Sequence, residues 1–330
     1  MPYGKKYFMR RFEMKKRIFT VALCLLLALV FTGAVFAAGA GQAGAAGGKP
    51  KVAIVLKTLS SPYWQTVLGG AREAAAKYGY ELVELGPPTE DAVTEQINMM
   101  EDVISKGEVV GIVFSPSQPP TAVNVLNRAN AAKIPVAIID TPMPPTFSEA
   151  SYLTFIGSNN YQIGVMGAQE MMKVLPKGGR ITILEGAPGN VAMTDRADGA
   201  EKVFRDNGFV IESRQPANSD RERAFSIMQN ILQRGDVDGV FSANDDQAEG
   251  AYRALTQSGK KAVVMGVDGN QSAKESVRDG GLFGTVAQDA AGMGFLGVES
   301  IYKTLNGQSV DKKIDAPTPV ITKDNVSRYL

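Results

Sequence analysis

Histidine is missing from all 330 residues of the sequence, and cysteine occurs once, at Cys24. A Ser-His-Asp triad, a Cys-His pair, a His/Cys zinc site and a disulfide framework are therefore excluded, and no metal or cofactor is expected. Tryptophan is as scarce, with Trp64 alone. Positive charge is thin outside the N-terminus. Setting aside residues 1–37 removes seven basic residues and Glu13, leaving 28 Lys and Arg against 33 Asp and Glu, a net charge of about −5. With no clustered basic stripe, this sign argues against a nucleic-acid binder.

What is present begins with a basic lead. Lys5, Lys6, Arg10, Arg11, Lys15, Lys16 and Arg17 precede an apolar run from Ile18 to Val35, and Val35-Phe36-Ala37-Ala38 offers small residues for cleavage. Residues 1–37 read as a secretory signal peptide rather than a membrane anchor, because an Ala/Gly-rich stretch follows instead of a charged stop. Leu23 before Cys24 argues against lipidation. Residues 38–50, rich in Gly and Ala, read as a flexible linker.

From Lys51 short β-branched runs alternate with longer amphipathic stretches: Lys51 to Lys57 then Pro62 to Tyr78, Glu81 to Leu85 then Glu90 to Lys106, Val109 to Phe114 then Pro119 to Ala132. The rhythm repeats from Leu153 to Leu305. Such alternation predicts right-handed βαβ units on parallel sheets covered on both faces. The fold class is α/β, and two similar lobes suit this length better than one sheet. Ligands of open parallel sheets bind beyond the carboxyl ends of the strands. Those ends carry Lys57, Ser61-Pro62-Tyr63-Trp64, Asp140-Thr141, Glu185 to Asn190, Asn244-Asp245, Asp268 and Gln288. Planar polar groups that chelate vicinal hydroxyls, beside flat rings, make a neutral-sugar site without a catalyst. Each such residue also has a plain reading as a turn or N-cap.

Six motifs at consistent spacing resemble the periplasmic sugar-binding proteins of the ribose- and allose-binding type. They are Val55-Leu56-Lys57-Thr58-Leu59-Ser60-Ser61-Pro62-Tyr63-Trp64, Ile134 to Asp140, Thr194-Asp195-Arg196-Ala197-Asp198-Gly199, Gln215 to Arg221, Ala243-Asn244-Asp245 with Gly266-Val267-Asp268-Gly269, and Thr285-Val286-Ala287-Gln288. The resemblance runs from about Lys51 to Val320. It implies ligand contacts at Ser61, Tyr63, Trp64, Asp140, Arg196, Asn244, Asp268 and Gln288, with Lys57 as in the allose-type members. Thr141 stands where the ribose-type proteins have arginine and Ser219 where an aromatic is frequent. These departures keep the sugar class and alter the choice of sugar.

The resemblance further implies a type I periplasmic binding fold with a three-crossing hinge near Ser158/Asn159, Gln288/Asp289 and Asp315 to Pro319. Residues 51–158 with 289–314 would form one lobe, and 159–288 with 315–330 the other. The function implied is that of an extracytoplasmic, monomeric binding protein, not an enzyme. It would capture a monosaccharide or related polyol, close about its hinge, and deliver the ligand to a membrane ABC permease, with a chemoreceptor as a second partner. The alternatives are a sugar-sensing regulator of the lac-repressor type, which needs an N-terminal helix-turn-helix that residues 1–50 do not offer, and a glycoside hydrolase using Asp195 and Asp198. Two other motifs carry less. Gly292-Met293-Gly294-Phe295-Leu296-Gly297 matches a dinucleotide-binding pattern but has too little chain after it, so close helix packing is expected. Asp236-Val237-Asp238-Gly239 mimics the start of a calcium loop but runs directly into a strand.

Overall fold

A computed structural model describes residues 48–330; the expected signal peptide and most of the linker lie outside them. Twelve strands are described, in two six-stranded sheets. The first contains β1 (Lys51–Val55), β2 (Glu81–Leu85), β3 (Val109–Phe114), β4 (Val136–Ile139), β5 (Thr154–Gly157) and β11 (Lys313–Asp315), in the order β11-β5-β4-β3-β1-β2. The second contains β6 (Arg180–Glu185), β7 (Val210–Pro216), β8 (Gly239–Ser242), β9 (Val263–Asp268), β10 (Gly284–Ala287) and β12 (Val320–Thr322), in the order β12-β10-β9-β8-β6-β7. Every pairing is parallel except β10 with β12. The central strands are buried on both faces, which is why they read as continuous apolar runs such as Val136-Ala137-Ile138-Ile139 rather than alternating ones.

Two apolar clusters cover the faces of each sheet. The helices that supply them in the first lobe are α1 (Pro62–Tyr78), α2 (Val93–Lys106) and α3 (Pro119–Ala131). Those of the second are α4 (Asn160–Met172), α5 (Val191–Asp206), α6 (Arg221–Arg234), α7 (Asp245–Gln257) and α8 (Gln271–Asp279). The last helix, α9 (Ala290–Leu305), follows β10 in sequence but packs on α1 of the first lobe. The chain thus passes between the sheets after β5, after β10 and between β11 and β12, the three crossings expected. Strands β11 and β12 were not anticipated, because three residues are too few to display a period.

Glycines set the closest helix contacts. A Cβ on Gly294 would lie 1.9 Å from the carbonyl oxygen of Val67, so α9 and α1 meet only where a side chain is missing. A Cβ on Gly297 would lie 2.7 Å from Val113 of β3, so Gly294 and Gly297 are packing positions, whereas one on Gly292 would meet only the Asp289 carboxylate that caps its own helix. Gly164 is a packing position in the second lobe: its Cβ would fall 1.9 Å from the carbonyl oxygen of Arg196, so the approach of α4 helps fix the backbone from which Arg196 projects. Asp238 accepts a hydrogen bond from the Arg180 amide at 2.8 Å just before β8, consistent with the start of a strand rather than a calcium loop.

Candidate functional site

The carboxyl ends of the two sheets face one another, and the polar strand-end residues meet there. Asp140 follows β4, the third strand of its sheet, and Asp268 closes β9, the third strand of the other. Lys57 follows β1, and Arg196 lies on α5 after β6, each of these strands being fifth in its order. The two halves therefore present the same pair of charges across a pseudo-twofold relation. Lys57 Nζ donates to Asp140 Oδ2 at 2.9 Å, and Arg196 Nη1 to Asp268 Oδ1 at 3.1 Å. All four are almost fully buried, and such pairs hold their charge only with further hydrogen bonds.

Those bonds are present. Asp140 also accepts from the Tyr63 hydroxyl at 2.9 Å, from Thr141 Oγ1 at 2.8 Å and from Ser115 Oγ at 3.4 Å. Arg196 donates through Nε to Asn160 Oδ1 and through Nη1 to the carbonyl of Ala243, both at 2.8 Å. Asp268 accepts from Gln288 Nε2 at 2.8 Å, and the same nitrogen reaches the Tyr63 hydroxyl across the cleft at 3.4 Å. Both aspartates sit at positive φ, 62° for Asp140 and 118° for Asp268, conformations that side chains rarely adopt. Strain of this kind collects where structure is held for a purpose.

Eight of the nine residues singled out from sequence, Lys57, Ser61, Tyr63, Trp64, Asp140, Arg196, Asn244 and Asp268, line one cleft, whose free space of about 10 Å³ is room for about one water molecule. The ninth, Gln288, abuts it through Asp268 and Tyr63. Asn244 is also the N-cap of α7, accepting from the Gln247 amide at 3.0 Å, so its plain reading and its place at the cleft hold together. Trp64 is only 2 % exposed and packs edge-on against Tyr63 at 4.9 Å, so the same ring lines the cleft and belongs to the core of the first lobe.

Sequence reasoning missed Glu90, Asn160 and the roles of Thr141 and Asn190. Glu90 was expected to open a helix, but α2 begins at Val93 because Thr89 and Asp91 close a turn ahead of it, with Thr89 Oγ1 on Asp91 Oδ1 at 2.7 Å. That turn sends the Glu90 carboxylate into the cleft, where it accepts from Trp64 Nε1 and from Ser219 Oγ of the opposite lobe, each at 2.8 Å. Further bonds bridge the lobes: Ser61 Oγ to Asp246 at 3.1 Å, Asn218 to Asp91 at 3.1 Å, Gln118 to the Pro188 carbonyl at 2.8 Å, and Lys57 to Asn190 at 3.4 Å. Asp195 and Asp198 adjoin on α5, burial and the Asp198 charge pushing the Asp195 carboxyl up, but neither lines the cleft, and Asp198 is bound by Arg214 in a surface cluster with Glu201. Among the described residues no group of three or more acidic or Cys side chains could hold a metal, and no helix is long and apolar enough to cross a membrane.

The two aspartates titrate in opposite directions. Burial pushes Asp140 up, but the Lys57 and Arg196 charges and the bonds from Lys57 and Thr141 outweigh it and hold the carboxyl below its usual range. Burial dominates at Asp268; Arg196 and the Gln288 bond only partly relieve it, the Asp140 and Glu90 charges add to it, and the carboxyl is pushed up to about 7. Asp245, buried behind it, is raised as well, by burial and by Asp268. A raised carboxyl binds a proton in the folded form that the unfolded chain has released. Its stabilising contribution is thus complete below about pH 4 and is lost as pH rises to about 7. Urea unfolding across that window should show this falling component for the unliganded protein, and Asp268→Asn should flatten it. An unchanged slope in the variant would remove Asp268 as its source.

The sequence profile of the periplasmic binding protein domain family matches residues 52–309. The chain belongs to that family. Its members are binding proteins rather than enzymes, and the family implies export. Among relatives, the chain is 31% identical over 277 residues to the ribose import binding protein of Escherichia coli (strain K12), covering 83% of this chain and 91% of the relative. It is also 31% identical over 255 residues to the D-allose-binding periplasmic protein of the same organism, covering 75% and 82%. Among solved structures, it resembles an ABC transporter solute binding protein from Agrobacterium vitis with bound D-fucose, with a TM-score of 0.81, 32% identity, and coverage of 84% of this chain and 97% of that one. These likenesses confirm the two-lobed fold and set aside the repressor and glycosidase alternatives.

Proposed function

We propose that this family member captures a monosaccharide, a pyranose or related polyol, between its lobes and delivers it to a membrane ABC importer. One observation carries the reading: two buried ion pairs, one from each lobe, converge with Tyr63, Asn244 and Gln288 on a single cleft. Carboxylates accept from sugar hydroxyls, while Lys57, Arg196 and the amides donate to them, which suits a ligand whose every hydroxyl can do both. Ligand-binding roles accordingly fall to Lys57, Ser61, Tyr63, Trp64, Asp140, Arg196, Asn244, Asp268 and Gln288. The cleft is too narrow for a sugar to enter as the side chains stand. Residues 51–158 with 289–314 part from 159–288 with 315–330 about the three crossings, and a ligand touching both lobes favours reclosure. Residues 1–37 direct export and are removed, and the protein acts as a monomer. The ribose, allose and fucose of these relatives support this class of ligand.

A sugar present at a hundredfold excess over its dissociation constant adds about 2.7 kcal/mol to stability by mass action, which should raise the melting temperature by several degrees. The measurement is a thermal unfolding series with ribose, allose, galactose, fucose, xylose, glucose and inositol. A midpoint unmoved by all of them would overturn the monosaccharide reading.

A further inference from the structure

Lys57 is engaged by Asp140 and Arg196 by Asp268, so the third carboxylate of the cleft wall, Glu90, is left with neutral partners only. Its two oxygens accept one bond each, from Trp64 Nε1 in its own lobe and from Ser219 Oγ in the other. The side chain is 8% exposed. Each oxygen retains capacity for another donor. A second unfilled acceptor borders the cleft beside Asp268 and Tyr63: Gln288, 9% exposed, has no hydrogen-bond partner on Oε1, while its Nε2 is committed to those two residues.

With both aspartates ionised, the closed cleft therefore holds one negative charge in excess, and several acceptors beyond its donors. The proton affinity of Asp268 agrees, since Asp140 and Glu90 both add to the effect of burial there. Closing the lobes on a neutral molecule would bury the Glu90 charge without compensation, which is costly in a desolvated site. A cationic ligand group would supply the missing counter-charge. An ammonium also brings three donors and no acceptor, the complement of what these residues lack.

We propose that the cleft takes a monosaccharide bearing a protonated amino group, with Glu90 as the residue that selects it. This rests on the sugar-binding reading above and narrows its ligand class. A hydroxyl would fill a lone pair of Glu90 but leave its charge unpaired, so preference for the amine is the property to measure.

Calorimetric titration at neutral pH would compare neutral hexoses with aminohexoses carrying the amine at different carbons, and with their N-acetyl forms. The expected result is one aminohexose bound at least about tenfold more tightly than its hydroxyl parent, a difference near 1.4 kcal/mol. N-acetylation should abolish that gain, and Glu90→Gln should bring the ratio of the two affinities to about one. For an amine on a ring carbon, which titrates like an α-amino group near about 8, raising the pH to about 9 should weaken the preference about tenfold in the unmodified protein, so the result does not depend on the variant folding. Neutral hexoses binding as tightly as every amino counterpart would leave the sugar-binding reading standing and overturn the amine. A preference unaffected by Glu90→Gln would overturn the role of Glu90, and absence of binding in both series would overturn both readings.

Discussion

Asp140→Ala and Arg196→Ala should each lower sugar affinity by about 10²-fold or more. Hydrogen bonds to charged groups contribute about 1.5–3 kcal/mol each, and each residue can offer a ligand more than one, so the loss exceeds two decades at about 1.4 kcal/mol per decade. The hydrogen-bond network adds a second consequence. Asp140 is the counter-ion of a lysine only 2% exposed and also holds Tyr63 and Thr141. Its removal leaves a buried ammonium unpaired, a loss of about 3–5 kcal/mol in stability. Arg196→Ala likewise frees Asp268 and breaks the ties to Asn160 and to the Ala243 carbonyl. Asp140→Asn separates the two effects, since it preserves shape while removing charge. Calorimetric titration paired with urea unfolding is the measurement. Wild-type affinity in either alanine variant would remove that residue from the site.

Much of this network could be anticipated because strand ends are easy to find. The β-branched runs mark the strands, parallel packing requires their carboxyl ends to share one side of each sheet, and polar residues at those ends then converge. Pro62 and Pro119 marked the first turns of α1 and α3, where the missing N–H costs nothing. What remained hidden was pairing across long separations. Lys57 meets Asp140 over 83 residues and Arg196 meets Asp268 over 72, and no local pattern specifies either partner.

Glu90 illustrates a different limit. An acidic residue ahead of an amphipathic stretch ordinarily signals a helix N-terminus, so the same letter that suggests a first-turn charge here belongs to a turn that aims it into the cleft. Only the Thr89 to Asp91 bond, which depends on backbone geometry, distinguishes the two. Asn190 was ambiguous for a related reason. It is the N-cap of α5, with its oxygen near the Met193 amide at 3.4 Å, and that same oxygen lies 3.4 Å from Lys57 Nζ across the cleft. One atom thus serves both a local and a long-range partner, and the sequence displays only the local one.

Trp64→Ala should cost about 3–5 kcal/mol in stability, the usual range for truncating a fully buried aromatic. The sole tryptophan lines the cleft and, at 2% exposure, also fills the core between α1 and the sheet of the first lobe, against Tyr63 and near Lys57, whose Nζ lies 5.5 Å from the ring centroid. Its indole N–H holds Glu90 at 2.8 Å. Truncation removes both the packing and the donor, leaving a buried carboxylate with Ser219 alone. Trp64→Phe divides these contributions, because it keeps most of the apolar volume and loses only the N–H, for which an unmet acceptor predicts about 1–3 kcal/mol. Both variants lack tryptophan emission, so urea unfolding followed by far-UV circular dichroism is the suitable measurement. A Trp64→Ala protein within about 1 kcal/mol of the parent would place the indole outside the core, and equal losses in the two variants would assign the whole effect to the bond with Glu90.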